Sequence, residues 1–342
     1  MGSKIRFFLK ALFGIVFYYT GAFYLIRAWN NLSGKRLTIV TYHRVTDKNI
    51  DEISSSLPYL FVTESTFRKH LEFFKKHYRI INFNDLSIHE VDPDIPRNSL
   101  IVTFDDGYED NLTKAFPILC EYDVPWTIFL ATEKIGSNDI CWWDRLYALL
   151  TDLRKKEQEG KFEIHDKNIL KVFCRFKKNP SDLFAQFNTW KIERIETLIN
   201  SLKIYSNISD DHLLAANRFL SWDHVIKMGD TVGIGSHACS HMSLNSLMPE
   251  QVMIEIVESK KIIEENCGKE VTVFSYPAGQ YRQNIKSTVA KSGYSFAVSQ
   301  EKGVNNLSDP YSLKRINLWE GSATLHGKFF SKGFLAFKLL GF

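Results

Sequence analysis

Two neighbouring carboxylates, Asp105 and Asp106, end the run Ser99-Leu100-Ile101-Val102-Thr103-Phe104 and are followed by Gly107-Tyr108. Apolar, β-branched residues that stop at a charged pair read as a buried strand handing its C-terminal end to a site. Adjacent carboxylates repel when both are ionised, so the pair calls for a cation or a proton. Asp-Asp-Gly is also ordinary turn chemistry, and the doublet alone leaves both readings open. A second cluster weighs against the turn. His237-Ala238-Cys239-Ser240-His241 sets two imidazoles four residues apart. On a helical turn that spacing puts both on one face, where they suit one metal ion. Two His ligands, one carboxylate and an open position make a catalytic zinc arrangement, as opposed to a closed structural site. Two unrelated surface histidines are the alternative, and the strand-like Val232-Gly233-Ile234-Gly235 just upstream counts against it. Cys239, two residues on from His237, points away from that face and is not taken as a ligand.

Such groups need elements to bring them together, and the hydrophobic pattern supplies them. Strand-like runs occur at 37–42, 79–83, 99–104, 126–131, 231–234, 271–276 and 294–298. Helical spacing fills 65–77, 111–122, 249–266 and 283–292 between them. Strand–helix alternation at this interval predicts an α/β fold with a parallel sheet, open or closed into a barrel. Three strands end in polar residues, at His43, Asp105-Asp106 and His237, and in barrels reactive groups gather at strand C-terminal ends. Residues 142–219 leave the alternation. They are rich in Lys, Glu, Leu and Phe and read as a helical insertion, sited where a lid or substrate-binding subdomain would sit.

With 342 residues, 44% hydrophobic and 14% aromatic, the chain can bury a large core and is not disordered. A net charge of +4, with Lys and Arg dispersed, gives no support to nucleic acid as a partner. Five scattered cysteines without CxxC spacing exclude a disulfide framework and favour a reducing compartment. After Lys4, Arg6 and Lys10 comes an uncharged apolar run, 11–26, about 24 Å long as one helix against roughly 30 Å of hydrocarbon. It lacks the small residues of a cleavage site and is read as a retained membrane anchor over 1–30, with a buried amphipathic helix as the alternative. The last residues, 326–342, form an apolar tail with interspersed lysines, fit either for a membrane surface or for packing on the domain. Basic residues flank both ends of the anchor, so its orientation is open.

Thr103-Phe104-Asp105-Asp106-Gly107-Tyr108 and Gly233-Ile234-Gly235-Ser236-His237 to His241, with Tyr276-Pro277-Ala278-Gly279, resemble the polysaccharide deacetylase (NodB-homology) family. The resemblance covers about 37–140 and 220–320 of a catalytic domain placed at 35–325. It implies a distorted (β/α) barrel and a hydrolase that removes N-acetyl, in some members O-acetyl, groups from glycans. Carried over by position, Asp106, His237 and His241 bind a divalent metal, zinc or else cobalt, nickel or manganese, and Asp105 is the general base. The backbone N–H of Ala278 serves the oxyanion. Where the family has an arginine that pairs with the base, this chain has Ser275; Arg315 is the candidate replacement and reads equally as a surface arginine. The late family histidine is matched only loosely by His326, so the general-acid role falls to His43, in a Tyr-His segment similar to that of poly-N-acetylglucosamine deacetylases. Trp222 reads as packing in preference to a sugar platform. The expected substrate is an N-acetylated glycan or lipid-linked sugar at a bacterial inner membrane, on a face left open. Two alternatives stand: a catalytically weakened carbohydrate-binding or assembly protein, and an O-acetyl esterase or deformylase of a lipid-linked sugar.

Overall fold

The computed structural model describes residues 2–86, 95–161, 163–325 and 329–341. Eight short strands, all parallel, make one curled sheet: β1 (Leu37–Tyr42), β2 (Arg79–Ile80), β3 (Ser99–Phe104), β4 (Trp126–Leu130), β5 (Val232–Ser236), β6 (Val273–Ser275), β7 (Phe296–Val298) and β8 (Ile316–Asn317). Their order in space is β8-β1-β3-β4-β5-β6-β7, with β2 on the first residues of β3. Every residue of β1, β3 and β4 is buried, as parallel strands covered on both faces require. Alternation along the strands then sorts two cores. Val40, Tyr42, Val102 and Phe104 pack outward with the helices, while Leu37, Ile39, Ile101 and Phe129 meet Val273 and Val298 on the other face. This curled parallel sheet is the α/β arrangement that the alternation implies and the distorted (β/α) barrel that the family resemblance implies.

The helices, in chain order, are α1 (Gly2–Tyr19), α2 (Ala22–Leu32), α3 (Glu64–His77), α4 (Phe116–Glu121), α5 (Trp142–Gln158), α6 (Lys167–Lys178), α7 (Pro180–Phe187), α8 (Ile192–Lys203), α9 (Asp210–Ala216), α10 (Trp222–Lys227), α11 (Pro249–Cys267), α12 (Gln283–Lys291) and α13 (Lys332–Leu339). The chain divides into two compact units. One, residues 1–50, 59–136 and 220–342, holds the barrel together with α1, α2 and α13. The other, residues 51–58 and 137–219, contains α5 to α9. In that second unit the Trp142 ring stacks on Phe184, and the Ser56 hydroxyl donates to the buried Asp144 carboxylate, tying 51–58 to α5.

Two expectations change, and one open alternative is decided. The apolar run 11–26 is not one helix: α1 and α2 meet at 76°, with Gly21 left-handed at the break (φ 85). No single described helix is long and apolar enough to cross a membrane, although the bent pair Leu12–Tyr19 plus Ala22–Leu32 passes that test by length and composition. The strand expected over 79–83 stops at Ile80, because the backbone N–H of Asn82 is taken by the Asp85 carboxylate at the start of a 3-10 turn. The apolar C-terminal segment packs on α1: a Cβ on Gly333 would lie 2.5 Å from the Gly14 carbonyl oxygen, and Phe337 meets Phe13 and Phe17 edge-on.

Candidate active site

Strand register sets the site. Tyr42 pairs with Phe104 and Leu130 with Ser236, so the residues that follow them, His43, Asp105 and His237, reach one rim of the sheet. Asp105 and Arg315 are both wholly buried, joined by a fork of 2.7 Å (Nη1 to Oδ1) and 2.8 Å (Nη2 to Oδ2). The remaining donors of Arg315 are also placed. Nε donates to the Ser299 carbonyl at 2.9 Å, Nη1 to Thr41 Oγ1 at 3.2 Å and Nη2 to Ser275 Oγ at 3.0 Å. All five N–H groups thus have an acceptor, the condition for burying a guanidinium. Ser275, short and an acceptor through Oγ, leaves the space and a partner for Arg315. Burial raises the Asp105 carboxyl, but Arg315 and the neighbouring imidazoles outweigh it and hold its pKa below the usual carboxylate range.

Asp106 is left-handed (φ 77), and so are Ala238 (φ 64), His241 (φ 63) and Ala278 (φ 56). These are four of the seven non-glycine residues with positive φ among those described, and strain of this kind concentrates where function demands a set geometry. The segment from His237 to His241 is therefore a loop and not the helical turn its spacing suggested; two left-handed residues fold the imidazoles to within 4.7 Å of each other, centroid to centroid. His241 Nε2 lies 3.0 Å and His237 Nε2 3.6 Å from Asp106 Oδ1, and one donor atom from each of the three residues falls within 4.8 Å of the others. His237 Nδ1 is 2.7 Å from the Ser275 carbonyl, which only accepts, so the proton sits on Nδ1 and Nε2 presents its lone pair. Burial pushes His237 down to about 4, keeping it neutral, while the imidazoles more than offset the burial of Asp106 and keep it ionised. One carboxylate and two imidazoles fit a divalent cation of the zinc type. Cys239 stays outside this cluster, its thiol pushed up to about 11 by burial.

His43 follows β1, is buried, and lies near enough to lower both Asp105 and Asp106; its Nδ1 has no partner among the described residues. Ala278 lies just past the end of β6, inside the 3-10 turn Pro277–Gly279. Trp222, on α10, is half-buried against the core. His326 lies outside the described residues.

Two supports escaped the sequence reading. The Glu255 carboxylate accepts from Cys239 N (2.7 Å), Ser240 N (2.9 Å) and Ser240 Oγ (2.6 Å), clamping the loop between the two histidines. As one of five glutamates on α11 it carries no sequence mark. Asp110 holds Arg44 at 2.7 Å, and Asn111 Nδ2 donates to the His43 carbonyl at 2.8 Å, fixing the turn after β1.

Comparison with known proteins agrees with this architecture. Residues 92–173 and 185–297, more than half of the chain, match the polysaccharide deacetylase family. YxkH of Bacillus subtilis (strain 168), whose name assigns it to the polysaccharide deacetylases, is 22% identical over 289 residues, 84% of this chain and 72% of that protein. A poly-β-1,6-N-acetyl-D-glucosamine N-deacetylase of Staphylococcus epidermidis is 27% identical over 132 residues, 36% of this chain and 43% of that one. The fold is shared with the Streptococcus pyogenes deacetylase PplD, solved in complex with acetate, at a TM-score of 0.54 and 16% identity, over 85% of this chain and 96% of that one. The chain belongs to the polysaccharide deacetylase family, and the protein is by class a carbohydrate deacetylase, a hydrolase.

Proposed function

We propose that this enzyme removes N-acetyl groups from an amino sugar of a membrane-linked or envelope glycan, using a divalent cation held by Asp106, His237 and His241. The observation that carries the reading is the convergence of those three donors beside a carboxylate clamped by a buried arginine. Bound there, such a cation supplies Lewis-acid polarisation to the reacting carbonyl. Asp105 takes a proton from the attacking water, kept ionised by Arg315, whose fork leaves lone pairs on both carboxylate oxygens. The Ala278 N–H donates to the oxygen on which negative charge develops. When the carbon–nitrogen bond breaks, His43 gives its proton to the leaving amine, and acetate and a free amino sugar result. Arg315 holds Asp105 in register, which removes the ground for reading the chain as a weakened binding protein.

The test is acetate release from N-acetylglucosamine oligomers by the full-length protein, native and chelator-treated. Asp105→Asn is expected to lose about 10²- to 10⁴-fold in turnover while still binding zinc. The proposal fails if zinc binds at Asp106, His237 and His241 yet no N-acetylated glycan is turned over; turnover of O-acetyl or formyl sugars alone would redirect it to those bonds. Mass spectrometry of host envelope glycans, with and without Asp105→Asn, identifies the acceptor by a difference of one acetyl group.

A further inference from the structure

Each N-terminal helix carries an exposed apolar stripe at the same i, i+4, i+7 spacing. On α1 it is Leu12 (47% exposed), Val16 (53%) and Tyr19 (74%); on α2 it is Leu25 (73%), Trp29 (70%) and Leu32 (76%). Isolated apolar residues on a surface are ordinary, but two consecutive helices striped in this way need a cover. The opposite faces are already used. Gly14 and Phe17 of α1 pack on α13, and Phe23 of α2 is wholly buried. Because α13 itself buries Phe334, Leu335 and Leu339, α1 is fixed to the domain by a close glycine-on-glycine contact.

Charge indicates what the cover is. His77 at the end of α3 packs its ring against Phe23 and Tyr24, and Arg27, Lys76 and Lys332 all lie close enough to act on its imidazole. Lys76 and Lys332 are exposed, as is Lys35 just beyond α2. Apolar stripes containing Tyr and Trp, flanked by cations, match the boundary between acyl chains and anionic headgroups. The 76° bend, and the anchoring of α1 on α13, disfavour a helix that crosses to the other side.

We propose that α1 and α2 form an in-plane membrane anchor. Their stripes enter one leaflet, anionic headgroups meet Lys35, Lys76 and Lys332, and the barrel is held at the surface without a spanning helix. This rests on the envelope setting proposed above but not on the metal site. A second copy of the chain is the competing occupant of the same face.

Full-length protein bearing an N-terminal epitope tag is added to preformed vesicles of phosphatidylethanolamine and phosphatidylglycerol in equal parts. It is expected to cosediment, and Leu25→Glu with Trp29→Glu to reduce binding by at least about tenfold. Lys76→Glu with Lys332→Glu should weaken binding to these vesicles and leave binding to pure phosphatidylcholine unchanged. The tag should remain open to a protease added outside, on the same side as the domain. Unchanged binding in the Leu25/Trp29 variant overturns the inference, as does a protected tag, which means a spanning anchor. A lipid-free dimer that the same variant dissociates, with no vesicle binding by the parent, assigns the face to a second copy and also overturns it. Acetate release from soluble oligomers, unchanged in both variants, reports folding and judges the deacetylase reading separately.

Discussion

Arg315 satisfies all five of its donors inside the barrel and pairs there with a buried carboxylate. Arg315→Met leaves Asp105 as a buried, unpaired charge and is expected to cost about 3–5 kcal/mol in denaturant unfolding. Arg315→Lys keeps the charge but not the fork, and should fall between. The sequence offers Arg315 as the candidate partner of Asp105, but Leu313-Lys314-Arg315-Ile316 reads equally as a surface segment, because burial of a cation is decided by a partner 210 positions away. Asp105 and Asp106 were legible because the apolar run before them is local. A second residue-scale prediction concerns His70. It is wholly buried, accepts or donates a 2.9 Å hydrogen bond with Tyr42, and is pushed from 6.5 down to about 3 by burial. The unfolded chain binds that proton near 6.5 and the folded chain only near 3, so stability is fullest above pH 6.5 and declines as pH falls through that window. Thermal melts of His70→Gln should show a shallower decline between those limits than the parent.

At the scale of elements, the strands were readable and the loop was not. Period and β-branched content mark β1, β3 and β4, but a four-residue His spacing fits a helix and a loop equally well. The positions that bend the loop, Ala238 and His241, carry none of the glycine or asparagine that announces a left-handed turn. What compensates for that missing signal is Glu255, whose three hydrogen bonds hold the loop from α11. Glu255→Ala is expected to weaken zinc binding about 10- to 100-fold, measured by titration of chelator-treated protein. Glu255→Gln, which still accepts from the two backbone N–H groups, should recover part of the affinity. A loss of folding without a selective loss of zinc would show that Glu255 is structural only.

Across the whole molecule, alternation of strands and helices was enough to anticipate a parallel sheet and a helical segment interrupting it, because both follow from local pattern; the barrel came from the family resemblance. The packing of α1 on α13 was not anticipated, since it joins the two ends of the sequence through glycines that look unremarkable in each. Gly333→Val places a methyl-bearing carbon against the Gly14 carbonyl and should loosen α1, costing about 1–3 kcal/mol. Amide exchange should accelerate along α1 and α13, with acetate release from soluble oligomers retained. The Asp105–Arg315 fork has its own consequence for assembly in time. Asp105 is synthesised in the first third of the chain, yet its partner emerges near the end, on the residue before β8. Until then the carboxylate has no guanidinium to enter the barrel with, so a nascent or truncated chain carries a complete Asp-His-His cluster in sequence while the carboxylate proposed as its base lacks its partner. Recovery of activity on refolding should therefore trail the recovery of sheet structure, with docking of the last strand as the step that switches the enzyme on.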